Sequence, residues 1–269
     1  MSSSEIVIKH LFRKSERVLK MQATQQIELI AGQGIAGDLN RDRSSPRQVL
    51  IVREQDLSQF AIPAGMLREN MVISGASPQL WQPGAKLTFP SGAVIRLTFY
   101  CEPCERIAPW VYNLEQIQQK RGILGIVWRS GLVNLGDEIA LQPNFFPALS
   151  EIPYARFLQL LAQIPSGKVI TYKQVLHCIG VDRSYYRVLP LYLKKTPAPY
   201  PKHRVLDSQG KTVTHIADQD RLLKDEGIRF KKISETKNGD KNFMVDLSEY
   251  GWTDPCIFAD LGDLDLNNT

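Results

Sequence analysis

The sequence has few cysteines, few histidines and no long apolar run. Its 269 residues include four cysteines, Cys101, Cys104, Cys178 and Cys256, which are too few and too unevenly spaced for the disulfide framework of a secreted protein. The N-terminal segment lacks the apolar centre of a signal peptide, and no stretch approaches the length needed to span a bilayer. We therefore expect a soluble, cytoplasmic protein with no membrane partner.

Two common cofactor signatures are also missing. CEPC at 101–104 is a close pair of cysteines, but the other two cysteines and the four histidines (His10, His177, His203, His215) are too scattered to complete a zinc site. GQGIAG at 32–37 has the spelling G-x-G-x-x-G, yet the DLNRDRSSP that follows does not predict the helix needed to bind a pyrophosphate. These patterns argue against a zinc protein and against a dinucleotide-binding fold.

The chain does contain enough apolar residues for two cores and a localised positive charge. Apolar residues make up 43% of the chain, and the net charge is +5 with a pI of about 9.0. Nine lysines and arginines but only two aspartates fall within 164–211. The second half of the chain is therefore the candidate for contact with a polyanion.

Residues 1–145 have the pattern of a β-rich domain. Short apolar runs separated by glycine and proline predict strands at IVIKHLF, QQIELIA, QVLIV, ENMVIS, AKLTF, AVIRLTFY and GILGIVW. Helices are expected at REQDLSQF and NLEQIQQK, and PNFFPALS (143–150) is interpreted as a linker. The pattern favours a compact β-barrel.

From 146 onwards the pattern becomes helical. IPYARFLQLLAQI and TYKQVLHCIG predict two helices, and SYYRVLPLYLKK predicts a third, basic helix after the break at Gly180. This order is typical of a helix-turn-helix, so we expect residues 146–255 to form a mainly α, winged-helix-like DNA-binding domain. The acidic end, 256–269, is expected to be a disordered tail.

Several motifs in the second domain together point to a known family. IPSGKVITYKQV, the basic helix with Arg187, PKHRVLDSQG, LLKDEGIRF and FMVDLSEYGW resemble, in that order, the C-terminal domain of O6-alkylguanine-DNA alkyltransferases. The resemblance covers about 151–255 and is closer to the alkyltransferase-like proteins. The enzymes have Pro-Cys-His-Arg where this chain has PKHR, so Lys202 stands in place of the cysteine that accepts the alkyl group.

The replacement by Lys202 argues against alkyl transfer. Acceptance of an alkyl group requires a thiolate, whereas an ammonium has no free lone pair at neutral pH. Cys178 is expected to be a small buried side chain of the second helix and not a substitute acceptor. The resemblance thus implies binding of duplex DNA with alkylated guanine without repair of the lesion.

The resemblance also implies the roles of individual residues. Tyr172 matches the tyrosine that helps to rotate the target nucleotide, and Arg187 matches the arginine that enters the duplex in its place. Read alone, Tyr172 would be a core residue and Arg187 a solvated helix charge. Lys202, His203 and Arg204 are the other candidate DNA contacts.

Some of these positions carry alternatives or depart from the family. His203 and Glu226 match the pair that activates the cysteine in the enzymes and are expected to be structural here. Lys202 would place a charge beside a phosphate or flipped base; attack on an abasic sugar as a Schiff-base amine is the rarer alternative. Pro190, Thr196 and the VTHIAD segment depart from the family pattern, and a proline within a helix is expected to kink it.

The first domain resembles a second family. GIAGD, RQVLIVREQDL, RENMVISG, CEPCERI and RGILGIVWRSGLVNLGDEI are together similar to the MOSC domain, over about 5–143. The resemblance implies a molybdenum cofactor, with Cys104 as the catalytic residue that carries sulfur or ligates the metal and Cys101 as a weaker candidate. Arg47 and Arg68 would hold the pterin phosphate, although surface arginine is the commoner role.

Three functional hypotheses follow. In the first, the second domain binds alkylated DNA and marks the lesion for a repair-protein partner. In the second, the chain is a molybdenum-cofactor-dependent reductase or sulfur-transfer protein acting on modified, N-hydroxylated bases, and a reductase would need a separate electron-donor partner. In the third, the chain is a basic nucleic-acid-binding scaffold with neither chemistry.

Overall fold

The chain forms two compact units, Met1–Glu151 and Ile152–Thr269. The computed structural model describes residues 5–16, 20–235, 241–253 and 255. The predicted acidic tail, 256–269, lies outside the described residues. Each unit has its own hydrophobic core and is described separately below.

The first unit is built from eleven described strands and one short α-helix. The strands are β1 (Ile6–Arg13), β2 (Gln22–Thr24), β3 (Gln26–Ile30), β4 (Gly34–Ile35), β5 (Val49–Arg53), β6 (Met71–Ser74), β7 (Lys86–Thr88), β8 (Val94–Tyr100), β9 (Ile123–Arg129), β10 (Gly131–Asn134) and β11 (Glu138–Gln142). Helix α1 (Glu54–Gln59) follows β5, and 3-10 helices occupy Glu105–Ile107 and Leu114–Ile117.

Seven of these strands close into a barrel, as the sequence predicts. The order is β11-β7-β8-β9-β5-β6-β1, and β1 pairs back with β11 through Ile6 opposite Ile139. The pairing of β5 with β6 is parallel, and the other pairings in the barrel are antiparallel. Closure gives each barrel strand a neighbour on both sides, so no long edge is left to pair with another chain.

Branched and aromatic side chains fill the interior of the barrel. All five residues of β5 are buried, as expected for a central strand covered on both faces. Ile51, Ile95 and Leu97 are fully buried in the core, and Trp81 packs among them. A separate three-stranded sheet, in the order β10-β3-β4, packs against this core through Ile27, Leu29 and Ile35.

Two features of the first unit differ from the sequence-based expectation. The segment 143–150, expected to be a linker, packs on the barrel: Phe146 and Leu149 are buried, and the Phe146 N–H donates to the Gly84 carbonyl oxygen at 2.8 Å. The expected helix at NLEQIQQK is reduced to the 3-10 helix Leu114–Ile117. The G-x-G-x-x-G segment contributes β4, a two-residue strand paired with β3.

The second unit is mainly helical, which confirms the predicted fold class. Its elements are α2 (Pro153–Gln163), β12 (Ile170–Thr171), α3 (Tyr172–Cys178), a 3-10 helix (Arg183–Arg187), α4 (Leu189–Lys195), a second 3-10 helix (Lys202–Arg204), β13 (Val205–Leu206), α5 (Gln219–Asp225), β14 (Phe230–Glu235), β15 (Lys241–Val245) and α6 (Leu247–Tyr250). Strands β14 and β15 form an antiparallel hairpin after the helices.

The predicted third helix is divided at Val188. Residues Arg183–Arg187 form a 3-10 helix, and α4 begins at Leu189 with Pro190 in its first turn. A proline there loses no hydrogen bond, because the N–H groups of the first turn have no partner within the helix. Pro190 therefore begins a helix, and the expected kink within a continuous helix was wrong.

A short parallel pairing holds the two halves of the second unit together. Ile170 in β12 pairs with Val205 in β13, and Thr171 pairs with Leu206. This pairing joins the start of α3 to the end of the 3-10 helix Lys202–Arg204. Beneath it, Val169, Leu206, Leu223 and Ile228 form a common core.

Candidate functional site

Lys202 lies at the start of a short 3-10 helix, and its side chain is partly buried. Its Nζ donates a hydrogen bond to the carbonyl oxygen of Thr196 at 3.0 Å. Thr196 is buried and ends α4, so its carbonyl is one of those at a helix C-terminus that have no partner within the helix. The ammonium thus caps α4, which is a favourable place for a cation.

The two residues after Lys202 are fixed by one carboxylate. His203 Nε2 lies 2.7 Å from Glu226 Oε1, and Arg204 binds both carboxylate oxygens through Nε and Nη2 at 2.7–3.0 Å. The Gly167 N–H donates to Glu226 Oε2 at 3.0 Å. The side chains of Arg204 and Glu226 are only 16% and 14% exposed. We call His203, Arg204 and Glu226 the carboxylate bracket.

The bracket strongly favours an ionised Glu226. Burial alone would raise the pKa of this carboxyl, but hydrogen bonds from Arg204, His203 and the Gly167 N–H outweigh burial and lower the pKa to about 2. Because His203 and Arg204 both point to this carboxylate, the structure gives them a bracing role. Their direct contact with DNA, predicted from the sequence, stays a prediction.

Tyr172 is the first residue of α3, and its side chain contacts His215, which was not among the predicted site residues. Its side chain is buried, and its hydroxyl lies 3.0 Å from His215 Nε2. Burial, together with the charge of Asp207, raises the pKa of Tyr172 to about 12, so the hydroxyl is protonated at neutral pH. Burial lowers the pKa of His215 below its ordinary 6.5. His215 lies in the VTHIAD segment. The departure of this segment from the family pattern was the only feature of the sequence that could have drawn attention to His215.

The basic residues between α3 and the end of α4 are exposed. Arg187 ends the 3-10 helix that leads into α4, and Lys194 and Lys195 lie in the last turn of α4. Lys195 packs its Nζ over the Tyr154 ring at 3.7 Å from the centroid, an arrangement that holds the charge at a fixed place. Arg187 is thus accessible to DNA, as the resemblance requires.

In the barrel unit, the structure draws attention to Cys101 as well as Cys104. Cys101 follows β8 and is 2% exposed. Arg121 Nη1 lies 2.6 Å from Cys101 Sγ and 2.6 Å from the Glu102 carbonyl oxygen, and Arg47 Nη2 lies 3.9 Å from the same sulfur. Cys104 is partly exposed and precedes the 3-10 helix Glu105–Ile107. We call Arg47, Cys101 and Arg121, together with Cys104 three residues after Cys101, the cysteine site.

The backbone beside Arg121 explains how it reaches Cys101. Gly122 has a φ of +95°, and a Cβ at this position would lie 2.5 Å from the Ile51 carbonyl oxygen. Only glycine can bring the chain this close to β5. The Cys101 N–H donates to the Gly122 carbonyl oxygen at 2.9 Å, which holds the two segments together. Arg121 was missed from the sequence because this contact is between segments 20 residues apart.

The other predicted cofactor residue, Arg68, lies in the turn before β6. It is exposed, with a φ of +63°. Its neighbour Glu69 is fully buried, accepts a hydrogen bond from the Gly65 N–H, and has its pKa raised by burial despite this bond and the charge of Arg121. In the described part of the chain, Glu69 Oε2 has no hydrogen-bond partner. The structure thus places a buried acid near the cysteine site that the sequence did not indicate.

Two general features of the described residues bear on cofactor and membrane binding. Within residues 5–16, 20–235, 241–253 and 255, no group of three His, Cys, Asp or Glu side chains is placed to hold a metal ion. None of the described helices is long and apolar enough to cross a membrane.

Comparison with known proteins assigns both units. Residues 43–140 match the MOSC domain model, and residues 152–228 match the model described as 6-O-methylguanine DNA methyltransferase, DNA binding domain. A search of curated proteins found no match.

Several solved structures are similar to parts of this chain, and they cover between 38% and 73% of it in the three examples that follow. The YUAD protein from Bacillus subtilis is 22% identical, covers 52% of this chain and 96% of its own, and has a TM-score of 0.46. YiiM from Escherichia coli is 13% identical over 73% of this chain and 97% of its own, with a TM-score of 0.42. S. pombe Atl1, solved with DNA containing O6-carboxymethylguanine, is 26% identical over 38% of this chain and 94% of its own, with a TM-score of 0.33.

The two matched segments lie within the two units of the structure and include most of the motifs quoted from the sequence; GIAGD (34–38) and FMVDLSEYGW (243–252) fall outside them. The chain therefore contains a MOSC domain followed by a DNA-binding domain of the 6-O-methylguanine DNA methyltransferase family, with Lys202 in place of the acceptor cysteine.

Proposed function

We propose that the second unit binds duplex DNA containing O6-alkylguanine and does not remove the alkyl group. The observation that carries this proposal is the placement of Lys202 directly before the carboxylate bracket, with its ammonium bound to the Thr196 carbonyl. An ammonium that donates a hydrogen bond to a carbonyl oxygen is not a nucleophile. The site therefore keeps the residues that would support an alkyl-accepting side chain but has no side chain that could accept the alkyl group.

The electrostatics and the exposed arginine support DNA as the ligand. The excess of basic residues within 164–211 provides an attraction for phosphates that does not depend on sequence. Arg187 is exposed at the N-terminal end of α4, where it can enter the duplex and replace an extruded guanine. Bound in this way without chemistry, the protein would remain at the lesion and present it to a repair-protein partner.

Paired arginine variants test the proposal. Arg183 and Arg187 are both exposed and lie at the two ends of one 3-10 helix. We expect Arg187→Ala to abolish the preference for a duplex with one O6-methylguanine over the unmodified duplex. Arg183→Ala should weaken binding to both duplexes by the same factor, because a phosphate contact carries no lesion information. Equal effects of the two substitutions would contradict the proposed role of Arg187.

We also propose that the barrel unit binds a molybdenum cofactor at the cysteine site. A half-buried thiol is a suitable soft ligand for the metal, and a guanidinium can pair with an anionic pterin phosphate. Cys104 would ligate the metal and Arg47, which already lies near Cys101, would hold the phosphate. When bound, the cofactor would supply either reduction of N-hydroxylated bases, with electrons from a separate donor protein, or transfer of sulfur.

Metal analysis of cysteine variants tests this second proposal. Protein produced in molybdenum-supplied cells should contain molybdenum, and Cys104→Ser should lose most of it. Cys178→Ser is the matched control, because Cys178 is a buried cysteine of the helical unit. Molybdenum content that is unchanged in Cys104→Ser would contradict the role of Cys104.

A further inference from the structure

We propose that Lys202 selects O6-alkyl groups that carry a negative charge, so that the preferred lesion is an O6-carboxyalkylguanine and not O6-methylguanine. This inference rests on the proposed function, since it requires the O6 substituent of the target guanine to reach Lys202. It goes further by stating the chemistry of that substituent.

The ammonium of Lys202 contacts the partial negative charge at the C-terminus of α4 but no carboxylate of the described residues. Its Nζ uses one of its three donors on the Thr196 carbonyl, which is a neutral acceptor. Within the part of the chain that the structure describes, no carboxylate oxygen lies within 4.0 Å of this ammonium. A partly buried cation with two spare donors is a site for an anion.

Two acids of the same unit, Glu226 and Asp207, have hydrogen-bond partners other than Lys202. Glu226 is bound by Arg204, His203 and the Gly167 N–H. Asp207 accepts hydrogen bonds from the backbone N–H groups of Gln209 and Lys211 at 2.7 and 2.9 Å. The protein therefore offers no anion of its own to Lys202 at the described positions, and a ligand has to supply one.

The two classes of lesion would place different groups against this ammonium. A methyl group against the ammonium would take away water from the charge and give no hydrogen bond in return. A carboxylate on the O6 substituent would accept one or two charge-assisted hydrogen bonds from Nζ without disturbing the bond to Thr196. The difference between the two lesions should be about tenfold in affinity, the value of one such bond.

A DNA phosphate is the other anion that could accept hydrogen bonds from Lys202. The experiment distinguishes a phosphate contact from a contact with the carboxylate of the lesion. Three duplexes of one sequence carry guanine, O6-methylguanine or O6-carboxymethylguanine at the same position. Their affinities are measured for the full-length wild type and for Lys202→Met, which keeps the length of the side chain and removes the charge. Lys202→Arg keeps the charge, and Lys194→Met removes an exposed charge at the end of α4.

We expect the wild type to bind the carboxymethyl duplex about tenfold more tightly than the methyl duplex. Lys202→Met should remove this difference, and Lys202→Arg and Lys194→Met should keep it. An equal loss on all three duplexes in Lys202→Met would show a phosphate contact and overturn the inference. A carboxymethyl preference that survives Lys202→Met would also overturn it.

Failure of the inference is distinguishable from failure of the proposed function. If the wild type binds both lesions more tightly than guanine but equally well, the lesion-recognition proposal stands and the selection by Lys202 is wrong. If the wild type binds all three duplexes equally, both proposals are wrong. Thermal unfolding of each variant confirms that the comparison is made between folded proteins.

Discussion

At the scale of single residues, Glu226 connects several segments of the helical unit. Its carboxylate connects the turn at Gly167 with His203 and Arg204, which follow Lys202 directly. The bracket therefore fixes the backbone from which Lys202 projects. Loss of this carboxylate should affect stability first and DNA binding as a consequence.

The substitution Glu226→Gln should lower the free energy of unfolding in a pH-dependent way. The pKa of Glu226 falls from 4.5 to about 2 in the folded state, so its stabilisation is complete above pH 4.5 and is lost as the pH falls towards 2. The shift corresponds to about 3 kcal/mol. Urea titrations of the full chain, followed by circular dichroism, should show this difference between wild type and variant at pH 7 and little of it near pH 2.

The matched control is the neighbouring Asp225→Asn. Asp225 is 64% exposed and forms a surface ion pair with Arg221, so its substitution should change stability by less than about 1 kcal/mol. A cost of Glu226→Gln that is the same at pH 7 and near pH 2 would show that the bracket does not stabilise the fold through the ionised carboxylate.

In the barrel unit, we expect Arg121 to stabilise the fold as Glu226 does in the helical unit. It is 6% exposed, donates towards Cys101 Sγ and the Glu102 carbonyl, and its charge acts on the buried Glu69. Arg121→Met removes these donors and should lower the free energy of unfolding by about 3 kcal/mol, because the buried Cys101 Sγ loses its hydrogen-bond donor and the buried Glu69 loses a nearby positive charge. Arg129→Met, an exposed position at the end of β9, should cost under about 0.5 kcal/mol. Similar costs for both variants in denaturant titrations would contradict the structural role of Arg121.

At the scale of secondary-structure elements, the start of α3 is important because it positions Tyr172. Thr171 accepts a hydrogen bond from the Gln174 N–H, and the Gln174 side chain accepts one from the Thr171 N–H. This capping box satisfies donors at the helix N-terminus at the point where β12 becomes α3.

Removal of the cap should weaken the helix and its hydrogen bond to His215. Thr171→Ala should cost about 1 kcal/mol of stability, as N-cap substitutions do. Lys173→Ala, at an exposed position of the same helix, should be nearly neutral because alanine is a good helix former. Denaturant titrations of both variants check this, and hydrogen exchange in α3 should rise only in Thr171→Ala. An unchanged stability of Thr171→Ala would show that the box contributes nothing.

Elements with strong periodic patterns could be predicted from the sequence, and short ones could not. The apolar runs of β1, β5, β8 and β9 were identified because β-branched residues recur in them between turn residues. β12 and β13 have two residues each and no period to detect, yet their pairing builds the candidate DNA site.

The contacts within the two candidate sites could not be predicted from the sequence either, because they join residues far apart in the chain. Tyr172 meets His215 over a separation of 43 residues, and Arg121 meets Cys101 over 20. Such contacts depend on tertiary packing and leave no local spacing to read. The resemblance located Lys202, Tyr172 and Arg187, because motif positions are local, but it did not supply their hydrogen-bond partners.

At the scale of the whole molecule, positive charge is concentrated in one segment of the chain. The excess of lysine and arginine in 164–211 belongs to the helical unit, which begins at Ile152. Binding to any duplex should therefore depend steeply on salt, with a slope of about −0.9 in log affinity against log salt for each phosphate contact. The preference for the uncharged lesion O6-methylguanine over guanine, in contrast, should change little with salt, because it comes from contacts with the base.

Titrations at several salt concentrations with the O6-methylguanine duplex and the unmodified duplex check this separation. Parallel lines in a plot of log affinity against log salt are expected, displaced by the lesion preference. Lines that converge as salt rises would show that the preference is itself electrostatic attraction to the backbone.

The most direct test of the account is the ratio of equilibrium dissociation constants for two otherwise identical duplexes, one with guanine and one with O6-carboxymethylguanine, at one fixed salt concentration. The mass of the intact protein is recorded after the titration. The account predicts at least tenfold tighter binding to the modified duplex, from about one charge-assisted bond or more, with the protein mass unchanged. Equal dissociation constants, or a protein that has gained the mass of the alkyl group, would contradict it.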